Sequence, residues 1–308
     1  MLGIGILLTS HIQAEENLWI YTKGTDTRPK GSYELKISDI VRIGKGNEDY
    51  VFHDIRPEIE YGLSDKLTVG VELMYFDHDY SIENEDLNPM YETQGGAGKR
   101  ISKTQFGGYE VALKYNFLSP YKDIIGLSMG LGYEKRRKYR LDGADISQHS
   151  FVHTVFIQKN WLDDTLAWAS NLKTELETRR SPGIEEKEIA LDFSTGVSYR
   201  IAPKHFIGLE FRHQSDYLSP YNTETGEYED PSLKPSKFGL THIEFGTQHQ
   251  NGNYIGPTYH YAEKNWWFTT GILFQFAGGG SEHAFVENNK NYDEHENVHF
   301  GMIYGYEF

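Results

Sequence analysis

The stretch HFGMIYGYEF, residues 299–308, ends the chain and alternates by residue type. Every second position holds a large apolar side chain: Phe300, Met302, Tyr304, Tyr306 and Phe308. The intervening positions include two glycines, a histidine and a glutamate. A period of two is that of a β-strand, in which successive side chains point to opposite faces. The pattern predicts a strand with an aromatic face that extends to the last residue.

The same alternation recurs along the chain in pairs of segments. Ile55 to Leu63 and Leu67 to Tyr75 both alternate, and Ser64-Asp65-Lys66 joins them, which predicts a hairpin. Similar pairs are 35–43 with 51–63, 109–117 with 125–133, 189–201 with 207–211, 255–261 with 266–274, and a less regular pair around 161–164. Together with the last strand, these segments predict about twelve strands.

The connections between the predicted strands alternate in length. Short turns are predicted near 64–66, 118–123, 161–164, 202–205 and 262–265. Longer connections, rich in charge, Gly, Asn and Pro, are predicted near 77–104, 136–148, 178–187, 215–253 and 277–295. An even number of antiparallel strands with this sorting of connections is typical of a bacterial outer-membrane barrel, and a soluble sandwich has no reason for it. The sequence therefore predicts an all-β, antiparallel transmembrane β-barrel with short periplasmic turns and long extracellular loops, formed as one domain by residues 15–308.

Composition narrows the function classes. The chain has no cysteine, which excludes disulfides, thiolate metal sites and cysteine nucleophiles. A formal net charge of −15 argues against a nucleic-acid partner, because binding phosphates requires a basic surface. No run approaches the roughly 18 apolar residues of a membrane-spanning helix. The mean hydropathy of −0.59 does not argue against membrane strands, since alternating sequences average as polar.

The first residues have a different composition. MLGIGILLTSHIQA contains an apolar stretch of about ten residues, with Ile12 and Ala14 at the −3 and −1 positions of a cleavage site. The charged EEN follows. We interpret residues 1–14 as a signal peptide, although the basic residues that usually open one are missing. A short N-terminal helix that faces the membrane is the alternative.

The charged face of the strands defines a candidate site. In a membrane barrel the apolar face meets lipid and the charged face lines the lumen. The predicted lumen-lining residues are Asp54, Arg56, Glu58, Glu60, Glu72, Glu110, Lys114, Lys173, Glu175, Asp192, Arg200, Glu210 and Arg212. Acidic residues outnumber basic ones, which favours the passage of a small cationic solute. The alternative is that these charges pair across a narrow lumen and close it, which would make a structural or adhesive barrel.

An enzyme is a further alternative. In FRHQSD, His213 and Ser215 share the outward register of Leu209, so that a hydrogen bond between them would activate the hydroxyl towards lipid. The arrangement is similar to the His-x-Ser motif of outer-membrane phospholipase A and of lipid A deacylases. Asp216 departs from that motif, and no Trp-Asn-Arg stretch follows. A carboxylate to orient the histidine would have to come from a loop, with the candidates Glu224, Glu227 and Glu244.

Metal and cofactor sites are not predicted. His283, Asp293, His295 and His299 are near one another in sequence, but their spacing is not that of a compact ligand set. The basic KRRKYR (135–140) and the acidic ENED (83–86) are interpreted as solvated loop faces. Basic loop residues of this kind would also suit contacts to lipopolysaccharide phosphates.

Two resemblances add to this interpretation. The final strand resembles the C-terminal insertion signal that the barrel assembly machinery recognises in outer-membrane barrels. Four stretches are similar to a family of outer-membrane barrel proteins of unknown function, related in style to proposed transporters of aromatic-degradation operons: ENLWIYTKGTDTRPKGSYEL (16–35), RPEIEYGLSDKLTVGVEL (56–73), QKNWLDDTLAW (158–168) and YIGPTYHYAEKNWWFTT (254–270). The resemblance implies a barrel in contact with outer-membrane lipid and lipopolysaccharide, and it implies no substrate and no catalytic residue.

Overall fold

The computed structural model describes residues 17–85, 87, 96–239, 241–282 and 284–308. The predicted signal peptide (1–14) and His283 lie outside these residues. The strands are β1 (Tyr33–Lys45), β2 (Glu48–Ser64), β3 (Leu67–Ser81), β4 (Ile101–Leu118), β5 (Gly126–Lys138), β6 (Asp145–Trp161), β7 (Leu166–Ser181), β8 (Ile184–Ala202), β9 (His205–Tyr217), β10 (Tyr221–Asn222), β11 (Glu227–Tyr228), β12 (Lys237–Gly239), β13 (His242–Glu244), β14 (Gln248–Ala262), β15 (Trp266–Gly280), β16 (Val286–Glu287), β17 (Lys290–Asn291) and β18 (Val298–Glu307). Within the described residues, no helix is long and apolar enough to span a membrane.

Twelve of these strands form one closed antiparallel barrel. Strands β1 to β9 pair with their neighbours in chain order, and β9 continues through β14 and β15 to β18. The ring closes where β18 pairs with β1, from Glu34 opposite Glu307 to Ile43 opposite Val298. The final aromatic strand is therefore paired on both sides. The predicted fold class, an antiparallel barrel of twelve strands, is confirmed.

The two faces of the barrel differ as the period-two pattern predicts. Large apolar side chains project outward and are exposed, for example Leu131 at 53% and Leu209 at 53%. Charged side chains project inward and are buried, for example Asp54 and Glu210. A continuous exposed apolar surface of this kind is unfavourable in water and is the surface that lipid solvates.

The connections are sorted between the two ends of the barrel, although less strictly than predicted. The end that we term the turn end carries the connections 65–66, 119–125, 162–165, 203–204 and 263–265. The opposite loop end carries 46–47, 82–100, 139–144, 182–183, 218–247 and 281–297. The predicted long loop 178–187 is wrong, because β7 and β8 extend to a two-residue turn there. Its charges form cross-strand pairs, such as Arg180 Nε with Glu185 Oε2 at 2.9 Å, and such pairs stabilise strands.

Both prolines inside strands are compatible with closure. Pro57 keeps its register with Ile37 of β1, and Pro257 keeps its register with Leu209 of β9. On the other side, the β2–β3 register is interrupted at Pro57 and the β14–β15 register is interrupted at Pro257. Each proline ring therefore lies where the hydrogen bonds between two strands are locally interrupted, so that no backbone donor is required.

Candidate functional site

The chain that precedes β1 lies inside the barrel. We call residues 17–32 the N-terminal segment. Asn17 O accepts a hydrogen bond from Thr269 Oγ1, and Gly31 N donates to Gly62 O at 2.8 Å, so both ends of the segment lie near the turn end. Between them Leu18, Trp19 and Ile20 are at most 6% exposed. The segment therefore enters the lumen, crosses part of it and returns to the same end.

Glu210 fixes the middle of the N-terminal segment. Its carboxylate accepts three consecutive backbone N–H groups, from Ile20 at 3.1 Å, Tyr21 at 3.0 Å and Thr22 at 2.6 Å. Glu210 is completely buried on β9, and a buried carboxylate is tolerated only when donors of this kind surround it. Glu210 was predicted to line the lumen, and the structure places it against the segment that fills part of that lumen.

Other wall side chains satisfy the rest of the segment's backbone. Asn171 accepts from Lys23 N at 2.6 Å and donates to Lys23 O at 2.8 Å. Gln158 Oε1 accepts from Thr25 N at 2.8 Å, and Lys114 Nζ donates to Gly24 O at 2.9 Å. These bonds come from side chains of the barrel wall, whereas a paired strand would be bonded through its backbone. The segment is thus docked through polar side chains that no sequence period reveals.

Glycines on the inner face make room for the segment. A Cβ atom at Gly196 would lie 2.3 Å from Trp19 Nε1, and one at Gly301 would lie 2.7 Å from Ile20 Cγ2. Real Cβ atoms do not approach so closely. Glycine inside a strand often marks a close approach by another part of the chain. These glycines were the one signal of the internal segment in the sequence.

The connection 281–297 folds inward at the loop end. Lys45 Nζ donates to three of its carbonyl oxygens, Tyr292 O at 3.0 Å, Asp293 O at 2.6 Å and His295 O at 3.1 Å. Glu296 is fully buried beside this ammonium. Burial opposes ionisation of Glu296, but Lys45 and the hydrogen bond from His299 together hold the pKa of the carboxyl below its ordinary value. The carboxylate therefore stays charged inside the protein.

A charged cavity of about 320 Å³ remains between the N-terminal segment and the loop end. Ten basic and eleven acidic side chains line it, so the acidic excess that favoured cations falls to one residue. Eleven of the thirteen predicted residues are in this lining: Asp54, Arg56, Glu58, Glu60, Glu72, Glu110, Lys114, Lys173, Glu175, Asp192 and Arg212. Arg200 instead lies at the turn end, where its Nη2 donates to Thr165 Oγ1 at 2.9 Å. Six further basic residues, which the alternation of the strands did not predict, line the cavity: Lys23, Lys36, Arg42, Arg136, Arg140 and Arg179.

Many of the lining charges are paired at close range. Arg56 contacts Asp54 at 2.7 Å and Glu72 at 2.9 Å, and Lys36 Nζ lies 2.6 Å from Glu60. Arg212 Nη2 lies 2.6 Å from Asp192 Oδ2. Removing one member of such a buried pair leaves an uncompensated charge, which costs several kcal/mol. The cavity wall is therefore held rigid by its own ion pairs.

One hydrogen-bonded chain connects the loop end to the N-terminal segment. Glu296 Oε2 lies 3.0 Å from His299 Nε2, and His299 Nδ1 lies 2.8 Å from the Tyr21 hydroxyl. Arg42 Nη1 approaches Glu296 Oε2 at 3.7 Å at one end of this chain. At the other end, the Arg212 guanidinium carbon lies 3.6 Å above the Tyr21 ring. Two cavity-lining arginines are thus joined by three intervening side chains.

The hydrolase hypothesis lacks the contact on which it depends. His213 Nδ1 is hydrogen-bonded to Asn253 Oδ1 at 2.9 Å rather than to Ser215. Ser215 is 1% exposed, and its Oγ has no hydrogen-bond partner among the described residues. The His213–Ser215 hydrogen bond that this hypothesis requires is not present among the described residues, and the register of β9 against β14 places Asn253 opposite His213.

His295 and His299, near the last loop, do not come together as metal ligands. Among the residues that the structure describes, no group of three or more His, Asp or Glu side chains is arranged to hold a metal ion. His299 and Glu296 are instead engaged with each other and with Tyr21. Asp293 Oδ2 accepts from Phe285 N at 2.8 Å, which fixes the backbone of the same loop.

A closed twelve-strand barrel with an apolar exterior and a charged lumen is the architecture of outer-membrane channels. The chain belongs to the family described as "Family of unknown function (DUF6662)", whose model matches residues 11–308. A comparison with curated proteins found no match. The fold is similar to that of the COG4313 outer membrane channel from Pseudomonas putida F1, with 12% identity, a TM-score of 0.56, and coverage of 92% of this chain and 98% of that one. The NanC porin is 9% identical, with a TM-score of 0.45 and coverage of 88% and 98%.

Proposed function

We propose that the protein is a passive outer-membrane channel for a small solute. The observation that carries the proposal is a charged cavity of about 320 Å³ inside a closed barrel whose outer surface is apolar. A cavity of this size suits a small molecule, and charged lumen walls are how channels select solutes. The N-terminal segment and the connection 281–297 narrow the path from the two ends.

The proposed location is the outer membrane of a Gram-negative bacterium. Residues 1–14 would direct export, and the final strand would be recognised by the barrel assembly machinery. In support, Tyr304 and Phe308 of that strand are 41% and 66% exposed on the outer face, where such a receptor or lipid can reach them. Deletion of Phe308 is expected to reduce the heat-modifiable, folded form in outer-membrane fractions. Deletion of the exposed Arg137 side chain by Arg137→Ala provides the control.

A closed structural barrel is the second candidate, and the docked N-terminal segment is the observation that favours it. The channel and the closed barrel predict different ionic currents across a planar bilayer. Refolded full-length protein in planar bilayers must give discrete conductance steps if it is a channel. Absence of steps, both in the parent and in Glu210→Gln, would leave the closed barrel as the better conclusion.

A reversible cross-link shows whether the N-terminal segment moves during conduction. A Cβ at position 301 would lie 2.8 Å from the Ile20 Cβ, and disulfide-linked Cβ atoms are about 3.8 Å apart, so Ile20→Cys with Gly301→Cys requires a shift of only about 1 Å. The chain has no other cysteine. If the segment must move, oxidation abolishes the current and a reductant restores it in the same sample. If solute passes beside the docked segment, oxidised and reduced channels conduct alike.

A further inference from the structure

Some buried donors of the cavity wall have no hydrogen-bond partner in the described part of the chain. Arg42 and Arg212 are each 4% exposed, yet Arg42 Nε and Nη1 and Arg212 Nη1 have no hydrogen-bond partner among the described residues. Carboxylates of the same wall do have amide donors, since Gln250 Nε2 donates to Asp216 Oδ2 at 3.2 Å and Gln148 Nε2 donates to Glu177. A buried donor without an acceptor costs about 1–3 kcal/mol, and more when it is charged. At these two arginines the unmet demand is for an acceptor, whereas Glu60 Oε2 and Gln214 Oε1 of the same wall are acceptors without a hydrogen-bond partner among the described residues.

The two arginines belong to one locus rather than to separate parts of the wall. Arg42 is joined through Glu296 and His299 to Tyr21, and Arg212 lies over the ring of the same tyrosine. Arg42, Arg212 and Tyr21 all line the cavity. Arg140 lines the same cavity and lies 3.7 Å from Glu294, a longer contact than a direct hydrogen bond.

From this geometry we infer an anion-binding subsite in the cavity, formed by the free N–H groups of Arg42 and Arg212 above the Tyr21–His299 pair. Its ligand is a small organic anion that presents a carboxylate to these donors. Guanidinium groups bind carboxylates through short, charge-assisted hydrogen bonds, which are about twice as strong as neutral ones. The inference rests on the proposed channel function in one respect, namely that the bound anion is the solute which crosses the barrel.

The subsite includes Tyr21 of the N-terminal segment, so its formation depends on whether that segment is docked. Tyr21 is held by Glu210 through its backbone and by His299 through its hydroxyl. The subsite is therefore complete only while the segment is docked. By linkage, an anion that binds there stabilises the docked segment, since a ligand favours the state that binds it more tightly.

Succinate, succinamide and 1,4-diaminobutane test the inference as probes of similar length with different charge. Full-length protein in detergent at neutral pH is titrated with each probe by calorimetry, and each probe is added to the bilayer as a blocker. Succinate is expected to bind and to reduce the current, whereas succinamide and 1,4-diaminobutane are expected to do so at least tenfold more weakly. Equal effects of succinate and succinamide overturn the inference, and so does absence of any succinate binding.

Arginine variants locate the binding. Arg42→Gln is expected to weaken succinate binding at least tenfold, and Arg42→Lys is expected to weaken it less, because lysine keeps the charge but lacks the planar fork. Arg137→Gln, at an exposed arginine of β5, is the matched control and should bind as the parent does. Parent-like affinity of folded Arg42→Gln overturns the assignment. The probe comparison on the parent protein needs no variant and remains decisive if Arg42→Gln does not fold.

The channel and the anion subsite can be refuted independently of each other. Current without succinate binding would leave the channel in place and remove the anion subsite. Succinate binding without current would keep the subsite and favour a closed barrel that binds an anion.

Discussion

The hydroxyl of Tyr21 lies 2.8 Å from Nδ1 of His299, which joins the N-terminal segment to the last strand across 278 positions of sequence. His299 is fully buried and its other ring nitrogen contacts Glu296. The loop connection 281–297 and the N-terminal segment are therefore connected through one imidazole. A change at Tyr21 should therefore affect both the N-terminal segment and the connection 281–297.

Tyr21→Phe tests this connection. The variant removes the hydroxyl and leaves a buried ring nitrogen of His299 without its partner, which costs about 1–3 kcal/mol. We expect the free energy of unfolding, measured with urea in detergent, to fall by that amount. Tyr304→Phe, at a tyrosine exposed on the outer face, should change stability by no more than about 0.5 kcal/mol. Equal effects of the two substitutions would contradict the role assigned to the Tyr21–His299 bond.

Glu210→Gln tests how the N-terminal segment is docked. The amide has one acceptor oxygen and no charge, so the three bonds to Ile20, Tyr21 and Thr22 are weakened together. If the free energy that favours the docked segment falls by about 2 kcal/mol, the undocked fraction rises roughly 30-fold. Because the segment contains Lys23, which is followed by Gly24, we expect trypsin to cleave it faster by a similar factor.

The control for that measurement is Glu185→Gln, which removes a carboxylate from the exposed β7–β8 extension and should leave the cleavage rate unchanged. If Glu210→Gln is cleaved at the parent rate while remaining folded, the carboxylate does not hold the segment.

Gly196→Ala tests the fit of Trp19. The added methyl would meet the indole at 2.3 Å, and overpacking of this kind typically costs about 1–3 kcal/mol. Combining it with Trp19→Ala should remove most of that cost, since the clashing group is gone. A double-mutant cycle followed by unfolding midpoints measures the coupling between the two positions. If the losses of stability caused by Gly196→Ala and Trp19→Ala are additive, Trp19 does not pack against Gly196.

The sequence predicted the wall of this protein much better than its interior. Alternation such as that of Phe300, Met302 and Tyr304 follows directly from the different solvents on the two faces of a strand. The N-terminal segment has no such period, because side chains such as Glu210 and Asn171 bond its backbone one residue at a time. These partners are distant in sequence, and only the folded barrel brings them together.

Charge was the second source of error. The charge-rich residues 178–187 and 277–295 are predicted as long connections, yet the first range forms paired strands and the connection 281–297 buries Glu296. In each case the partner that neutralises the charge comes from a neighbouring strand: Glu185 for Arg180, and Lys45 for Glu296. Composition does not identify such partners.

Leu209→Arg tests the proposal that the apolar exterior faces lipid. Leu209 is 53% exposed near the middle of β9, directly before the buried Glu210. Arginine at the lipid face of a barrel costs about 2–4 kcal/mol at the bilayer midplane and about 0–1 kcal/mol near the interfaces. We expect Leu209→Arg to lower stability in phospholipid vesicles by the larger amount, and Ile201→Arg, close to the turn end, to lower it by the smaller one. A soluble protein with a watery exterior would tolerate both substitutions equally, and equal small effects in vesicles would therefore contradict a membrane-spanning barrel.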